Sequence, residues 1–310
     1  MYLLLGIAVA GFLAQLIDGS LGMGYGVSST TLLLTVGLTP ALASASVHLA
    51  EIGTTAISGA SHWRLGNVDG RILVLLAIPG GIGAFLGAVV LSNLSLETAK
   101  PWVSIILLVL GGVIVFRFLH ARRRNAAAAR RPRVLEPSPD DVTPGRIRRT
   151  WLLSPLGIVG GFLDASGGGG WGPVVTSTLM ASGKLTPRKI IGTVSGSEFV
   201  VSIAASIGFL MALGAEGIRW DIVAMMLLGG SIAAPVAAWL VRHFDDRALG
   251  TAVGALIILL NIDRLLVLLG MDSGMVTTVR MLAVAGGIAI VVLLIWRGRA
   301  HRAAVAAGAA

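Results

Sequence analysis

Four carboxylates lie inside apolar stretches of this 310-residue chain, where a charged group is costly. They are Asp18, Glu51, Asp164 and Glu198. An ionised side chain in hydrocarbon costs at least about 3 kcal/mol, so a carboxylate there is protonated, hydrogen-bonded or part of a proton pathway. Aspartate is also a good helix cap. We therefore predict that the two aspartates cap a broken helix or carry a proton, and that the two glutamates take part in proton coupling.

A glycine-rich run follows each aspartate at the same distance, "DGSLGMGYG" from Asp18 and "DASGGGGWG" from Asp164. Closely spaced glycines favour unwound backbone, and a helix that restarts after them points free N–H groups and the positive end of its dipole into the bilayer. This pattern predicts an anion site built by two broken helices. The residues predicted to contact the anion are Gly22, Gly24, Tyr25, Gly26, Ser28, Ser29, His48, Gly168, Gly169, Gly170, Trp171, Gly172 and Ser195.

The glycines and His48 also permit competing interpretations. Gly167, Gly169 and Gly172 have the spacing of a dinucleotide-binding loop, but no strand precedes them, which argues against that site. Glycine also packs membrane helices closely, which accounts for scattered glycines better than for consecutive ones. His48 lies one helical turn before Glu51, either as a proton relay, as a donor to the anion, or as a buried histidine satisfied by a neighbour.

The elements that must position these residues are membrane helices. Hydrophobic residues make up 55% of the chain, charged residues make up 13%, and the mean hydropathy is +0.88, well above the range of soluble domains. Segments 3–17 and 152–163, which precede the glycine runs, are short for a full crossing and are predicted to be half-spanning or re-entrant. Charge-free runs near the length of a membrane span lie at 72–96, 101–116, 199–215, 222–241 and 281–296.

Charge and histidine positions exclude other classes of protein. The formal net charge is +9, but the basic residues cluster at span ends and in a central linker, so the sequence predicts no nucleic-acid partner. Residues 62–64, "HWR", are interpreted as a membrane-edge anchor. The chain has no cysteine, and its five histidines lie far apart without a metal-spaced pair or a nucleophile–histidine–acid order. We therefore predict no cofactor, no metal site and no enzymatic activity.

The chain repeats itself in opposite orientation. Residues 11–26 align with 157–172 without a gap, and a one-residue gap then brings the Thr-Pro pair at 39–40 onto the pair at 186–187. The positive-inside rule places the arginine-rich linker in the cytoplasm, which puts the N-terminus outside and the C-terminus inside. The two Thr-Pro turns then fall on opposite sides, so the halves are inverted, as in many secondary transporters.

These patterns predict an all-α integral membrane protein of the cytoplasmic (inner) membrane. It comprises two inverted repeats of about five membrane segments each, the first two of them short, broken or re-entrant, plus one extra C-terminal helix. The predicted boundaries are 1–119 for the first repeat, 120–150 for the cytoplasmic basic linker, 151–269 for the second repeat, 270–296 for the additional transmembrane helix and 297–310 for a cytoplasmic tail.

Four stretches of the sequence resemble the TauE/SafE family of sulfite exporters, also called the 4-toluene sulfonate uptake permease family. They are "GFLAQLIDGSLGMGYG", "LTPALASASVHLAEI", "GIVGGFLDASGGGGWGP" and "LTPRKIIGTVSGSEF". The resemblance covers nearly all of the chain and implies transport of sulfite, organosulfonates or other sulfur-containing anions across the cytoplasmic membrane.

The expected function is thus a secondary transporter for a small sulfur-containing anion that works by alternating access and is coupled to protons. Its expected partners are the anion, the lipid bilayer and protons as the coupling ion, and the sequence allows a homo-oligomer. The alternatives are a passive anion channel with the same pore elements and a transporter of a different small organic anion.

Overall fold

Every regular element that the structure describes is a helix, which confirms the predicted all-α class. The computed structural model describes residues 2–21, 23–129, 150–182, 185, 187–240, 246–283 and 285–287. The first half contains α1 (Tyr2–Leu21), α2 (Tyr25–Thr35), α3 (Pro40–Arg64), α4 (Gly70–Asn93) and α5 (Leu96–Ala129). The second half begins with a 3₁₀ turn (Thr150–Leu152) and contains α6 (Leu153–Gly167), a π-helical turn (Gly172–Thr176), α7 (Ser177–Ser182), α8 (Pro187–Leu213), α9 (Trp220–Leu240) and α10 (Asp246–Leu268).

Several of these helices have the length and composition of membrane spans. Among the described residues, Gly70–Asn93, Leu96–Leu119 and Lys189–Leu213 are long and apolar enough to cross a bilayer, and Leu4–Asp18 and Trp220–Ala233 are shorter apolar helices. Together they make the chain a multi-pass membrane protein.

Helix α4 shows how the two faces of a span differ. Gly83 and Gly87 bring it against α6 so closely that a Cβ at Gly87 would lie 2.5 Å from the carbonyl oxygen of Phe162. The opposite face carries a stripe of exposed apolar side chains with the four-residue spacing of a helix. Its members are Val74, Ile78, Ile82, Leu86 and Val90. Such a stripe suits contact with lipid, whereas the glycine face suits close packing of two helices.

The two halves are interleaved. Helix α1 of the first half packs on α9 of the second, and α6 of the second half packs on α4 of the first. A Cβ at Gly11 would lie 2.6 Å from the carbonyl oxygen of Met226, and one at its repeat partner Gly157 would lie 2.7 Å from that of Leu76. Equivalent glycines therefore make equivalent contacts with opposite halves. That the halves are inverted across the membrane stays a prediction.

The aromatic residues of the glycine runs follow the same exchange. Trp171 fills the space beside Gly80 on α4, where a Cβ would lie 2.5 Å from the indole ring. Tyr25 lies beside Gly230 on α9, with its hydroxyl oxygen 3.7 Å from the position of a Cβ there. Both aromatic side chains are buried. The breaks of the two halves are thus held in matching ways.

The helices differ in extent from the segments expected from hydropathy. Helix α1 ends at Leu21 and α6 ends at Gly167, each four residues beyond the predicted end, so Asp18 and Asp164 lie inside helices. Helix α5 continues to Ala129, ten residues past the predicted repeat boundary, and residues 273–283 are helical within the predicted additional span. Linker residues 130–149 and the tail at 297–310 lie outside the described residues, and the predicted domain boundaries stay predictions.

Candidate functional site

The first break separates α1 from α2. Gly24 precedes α2 with a φ of 112°, a left-handed conformation that favours glycine. Asp18 reaches across the break, and its Oδ1 accepts a hydrogen bond of 3.3 Å from the backbone N–H of Tyr25, the first residue of α2. The predicted contact residue Gly22 lies outside the described residues.

The second break is capped more tightly. Gly168 and Gly169 have φ values of 73° and 142°, and the chain re-enters a helix at Trp171, which leads into the π-helical turn. Oδ1 of Asp164 accepts two backbone hydrogen bonds, one of 2.6 Å from Gly170 and one of 2.9 Å from Trp171. This carboxylate therefore ties the end of α6 to the start of the next helix.

The two breaks touch each other at the centre of the molecule. A Cβ at Gly26 would lie 2.7 Å from Cα of Gly169, so only glycine allows these backbones to meet. The hydroxyl of Thr30 on α2 donates a hydrogen bond to the carbonyl of Gly168, and that of Ser44 on α3 donates one to Ala165 at 2.7 Å. The side-chain hydroxyls of the first half thus satisfy carbonyls freed by the second break.

These hydrogen bonds change the expected geometry of an anion site. The sequence places an anion on the N–H groups that open the restarted helices, but the N–H groups of Gly170, Trp171 and Tyr25 already donate to the chain's own aspartates. A carboxylate is itself an anion, so it occupies the position that the helix dipole favours. A transported anion must therefore bind beside these caps rather than at them.

A polar cavity of about 210 Å³ lies beside the breaks. It is formed by α1, α3, α8 and the start of the π-helical turn. Its volume equals that of roughly seven water molecules at about 30 Å³ each, which suits a small ion and is too small for a nucleotide. The lining residues are Gln15, Asp18, Met23, Thr54, Thr55, Ser58, His62, Gly172, Ile191, Val194, Ser195 and Glu198.

Four residues singled out in the sequence line this cavity, namely Asp18, Gly172, Ser195 and Glu198. Most of the others are buried instead. Those are Gly24, Tyr25, Gly26, Ser29, His48, Glu51, Asp164, Gly168, Gly169, Gly170 and Trp171. Ser28 lines a separate cavity of about 230 Å³ whose other walls are mainly apolar side chains of α1, α2 and α10.

The buried carboxylates Glu51 and Asp164 form a cluster with His48. Nδ1 of His48 lies 2.8 Å from Oε2 of Glu51, and its Nε2 lies 4.0 Å from Oδ2 of Asp164. Ser202 on α8 donates to the same Glu51 oxygen at 3.4 Å. One ligand atom from each of His48, Glu51 and Asp164 falls within 4.8 Å of the other two, a set that has the composition of a metal site as well as of a proton relay. The sequence spacing placed His48 one helical turn from Glu51 but did not predict that Asp164 joins them.

The cavity also contains residues of α3 that the sequence did not predict to contact the anion. Thr54, Thr55, Ser58 and His62 follow Glu51 along α3 at intervals of three or four residues, so they form a polar stripe on one face of that helix. This periodicity in an apolar segment was the available signal. His62, which the sequence suggested as a membrane-edge anchor, lines the cavity.

A basic side chain lies behind the cavity wall. Arg117 on α5 places Nη1 2.8 Å from the sulfur of Met23, which lines the cavity, and Nη2 3.0 Å from the sulfur of Met180. Nη1 also lies 3.4 Å from the hydroxyl of Ser177. The guanidinium therefore adds positive potential beside a cavity that holds two carboxylates.

Comparison with known proteins identifies the family. The family model described as "Sulfite exporter TauE/SafE" matches residues 7–264. The chain is also 50% identical over 254 residues to the probable membrane transporter protein YtnM of Bacillus subtilis (strain 168), a match that covers 82% of this chain and 80% of that protein. No solved structure matches the chain. A membrane-transporter family, rather than an enzyme family, thus accounts for nearly its whole length, and the chain belongs to the sulfite exporter TauE/SafE family.

Proposed function

We propose that this protein is a secondary transporter that moves a small sulfur-containing anion, sulfite or an organosulfonate, across the cytoplasmic membrane by alternating access. The observation that carries the proposal is the cavity of about 210 Å³ between α1 and α3 of one half and α8 and Gly172 of the other. The cavity is large enough for a small ion, and both repeats contribute to its walls. This is expected of a transporter whose repeats move around a central site.

The donors around the cavity suit a tetrahedral or pyramidal oxyanion. The hydroxyls of Ser58 and Ser195 and the amide of Gln15 provide neutral hydrogen-bond donors, whereas the hydroxyls of Thr54 and Thr55 already donate to the backbone carbonyl of Glu51. Several weak donors hold an anion without the tight grip of a fixed ion pair, which permits release on the other side.

The two carboxylates in the same cavity support proton coupling. Asp18 and Glu198 both line it, and an ionised carboxylate about 5 Å from a bound anion opposes binding by roughly 3 kcal/mol at an effective dielectric constant of about 20. A proton on either group removes this repulsion. Because coupling between two ligands is reciprocal, proton and anion bind together and move in the same direction.

The experiment is uptake of radiolabelled sulfite and sulfoacetate by proteoliposomes, with and without an imposed pH gradient. We expect accumulation above the external concentration when the gradient directs protons inward. The alternative of a passive anion channel is supported if flux occurs but never exceeds equilibration, and a different organic anion is the substrate if only that anion exchanges. Absence of flux for every anion tested would refute the transporter.

A further inference from the structure

Each side chain that lines the cavity has a repeat partner in the other half. A shift of 147 residues takes α3 onto α8, as the pairs Thr39-Pro40 with Thr186-Pro187 and Glu51 with Glu198 show. A shift of 146 residues does the same for the breaks. The cavity residues Ser195 and Glu198 are thus the partners of His48 and Glu51.

The repeat partners on α3 and α8 are buried. The repeat partners of the α3 cavity residues are Val201, Ser202, Ala205 and Phe209 on α8, each with an exposed fraction of 0%. The repeat partners of the α8 cavity residues are Ser44, Val47, His48 and Glu51 on α3, which are no more than 2% exposed. The structure is open on one face of the repeat and closed on the other.

The closed face is sealed by contacts between residues whose repeat partners line the cavity. The rings of His48 and Phe209 pack with centroids 6.0 Å apart, and Ser202 donates to Glu51. The partners of the first pair are Ser195 and His62, which both line the cavity. Phe209 and His62 therefore occupy equivalent positions in the two halves. Phe209 is buried on the closed face, whereas His62 lines the accessible cavity.

The closed face also contains polar atoms without hydrogen-bond partners among the described residues. Nε2 of His48 and Oδ2 of Asp164 are both buried and face each other at 4.0 Å, too far for a hydrogen bond. Unpaired buried polar atoms are costly. A region that serves only to pack the helices would be expected to pair or omit them, whereas a region that opens to water and an anion has a use for them.

We propose that this buried face is the second half of the substrate site, closed by Phe209, and that it opens toward the opposite side of the membrane when the cavity closes. It would then present His48, Ser202 and Ser44 to the same small anion. The inference rests on the proposed transport function, but it assigns a plug residue and adds Ser202 and Ser44, which the sequence did not indicate, to the predicted contact residue His48.

The absence of cysteine in the chain makes the test direct. Ser58→Cys places a thiol in the cavity, and Ala205→Cys places one at its repeat partner on the closed face. Each single-cysteine protein is reacted in right-side-out and inverted vesicles with a membrane-impermeant maleimide. We expect S58C to react from one side only and A205C to react slowly, from the opposite side only.

Substitution of Phe209, the residue that closes this face, tests the proposal directly. Phe209→Ala in the A205C protein should raise the labelling rate about tenfold or more, and from the side opposite to that of S58C, because loss of a buried ring destabilises the closed packing. His62→Ala in the S58C protein is the matched control and should leave the labelling rate unchanged, since its position is already open. Phe209→Leu, a milder change, gives the same readout with a smaller increase and serves if F209A does not fold.

Two outcomes overturn the proposal. One is labelling of A205C from the same side as S58C, and the other is an A205C protein that stays unreactive in folded F209A or F209L variants. Labelling requires no substrate, so failure of the plug and failure of anion transport in proteoliposomes are separate results.

Discussion

Substitution of Asp164 separates helix capping from proton transport at the second break. Its Oδ1 accepts hydrogen bonds from the N–H groups of Gly170 and Trp171, and the residue is 2% exposed. Alanine removes this acceptor and leaves two buried N–H groups without it. Asparagine retains a carbonyl oxygen in the same place but cannot carry an acidic proton. The two variants therefore test different roles of one side chain.

The hydrogen bonds set the expected magnitudes. A buried hydrogen bond to a charged acceptor contributes about 2 kcal/mol and one to a neutral acceptor about 1 kcal/mol. For two bonds, Asp164→Ala should lower the free energy of unfolding by about 4 kcal/mol and Asp164→Asn by about 2 kcal/mol. Asp18→Ala is the matched control from the repeat. Its one bond, to Tyr25, is 3.3 Å long, so the loss should be about 1 kcal/mol.

The assay combines stability with transport. Thermal unfolding of the purified proteins in one detergent should rank the melting temperatures as unsubstituted, then D18A, then D164N, then D164A. If Asp164 is a cap alone, D164N retains pH-gradient-driven uptake in proteoliposomes. Equal destabilisation by asparagine and alanine would refute the capping argument. A folded D164N protein that exchanges anions but ignores the pH gradient would show that Asp164 carries the proton.

Three further predictions concern the cavity and the contact between the breaks. Glu198→Gln should keep anion exchange but weaken the response of uptake to a pH gradient. The exposed Glu97→Gln is the control and should leave that response intact. Equal responses of the two variants to the gradient would exclude Glu198 as a proton carrier. Gly169→Ala should destabilise the protein by about 3 kcal/mol or more, because its φ is 142° and the other break leaves no room for a Cβ. Gly6→Ala, a helical position with open space, is the control and should leave the melting temperature unchanged or raise it slightly. Arg117→Gln should raise the anion concentration for half-maximal uptake, with Arg117→Lys restoring much of the affinity; an unchanged value would remove the guanidinium from the electrostatics of the cavity.

The local chemistry of the breaks was predictable from sequence. The glycine runs mark where an α-helix cannot continue, and an aspartate six or seven residues before the restart has the reach and the acceptor to cap it. Hydropathy predicted the all-α class for the same local reason. The predicted ends of α1 and α6 were wrong, because both helices continue up to the glycines. A helix ends where the backbone conformation changes, not where the apolar residues end.

The placement of the site residues was less predictable because it depends on packing between distant helices. Ser195 lines the cavity and its partner His48 is buried, although both have the same position in the repeat. A repeated sequence predicts the same environment twice. Under the proposed alternating access, equivalent residues have different environments in each of two conformations, and a small free-energy difference between these conformations decides which one is populated.

The interleaving of α1 with α9 also constrains how the protein is made. The face of α1 around Gly11 is synthesised early, but Met226, which it contacts, follows about 200 residues later, or roughly 10–40 s at a translation rate of about 5–20 residues per second. During that interval α1, with Asp18 in its last turn, is in the membrane without its partner. We therefore expect that the first half does not fold independently, and that a chain terminated after α5 is degraded rather than persisting as half of a transporter.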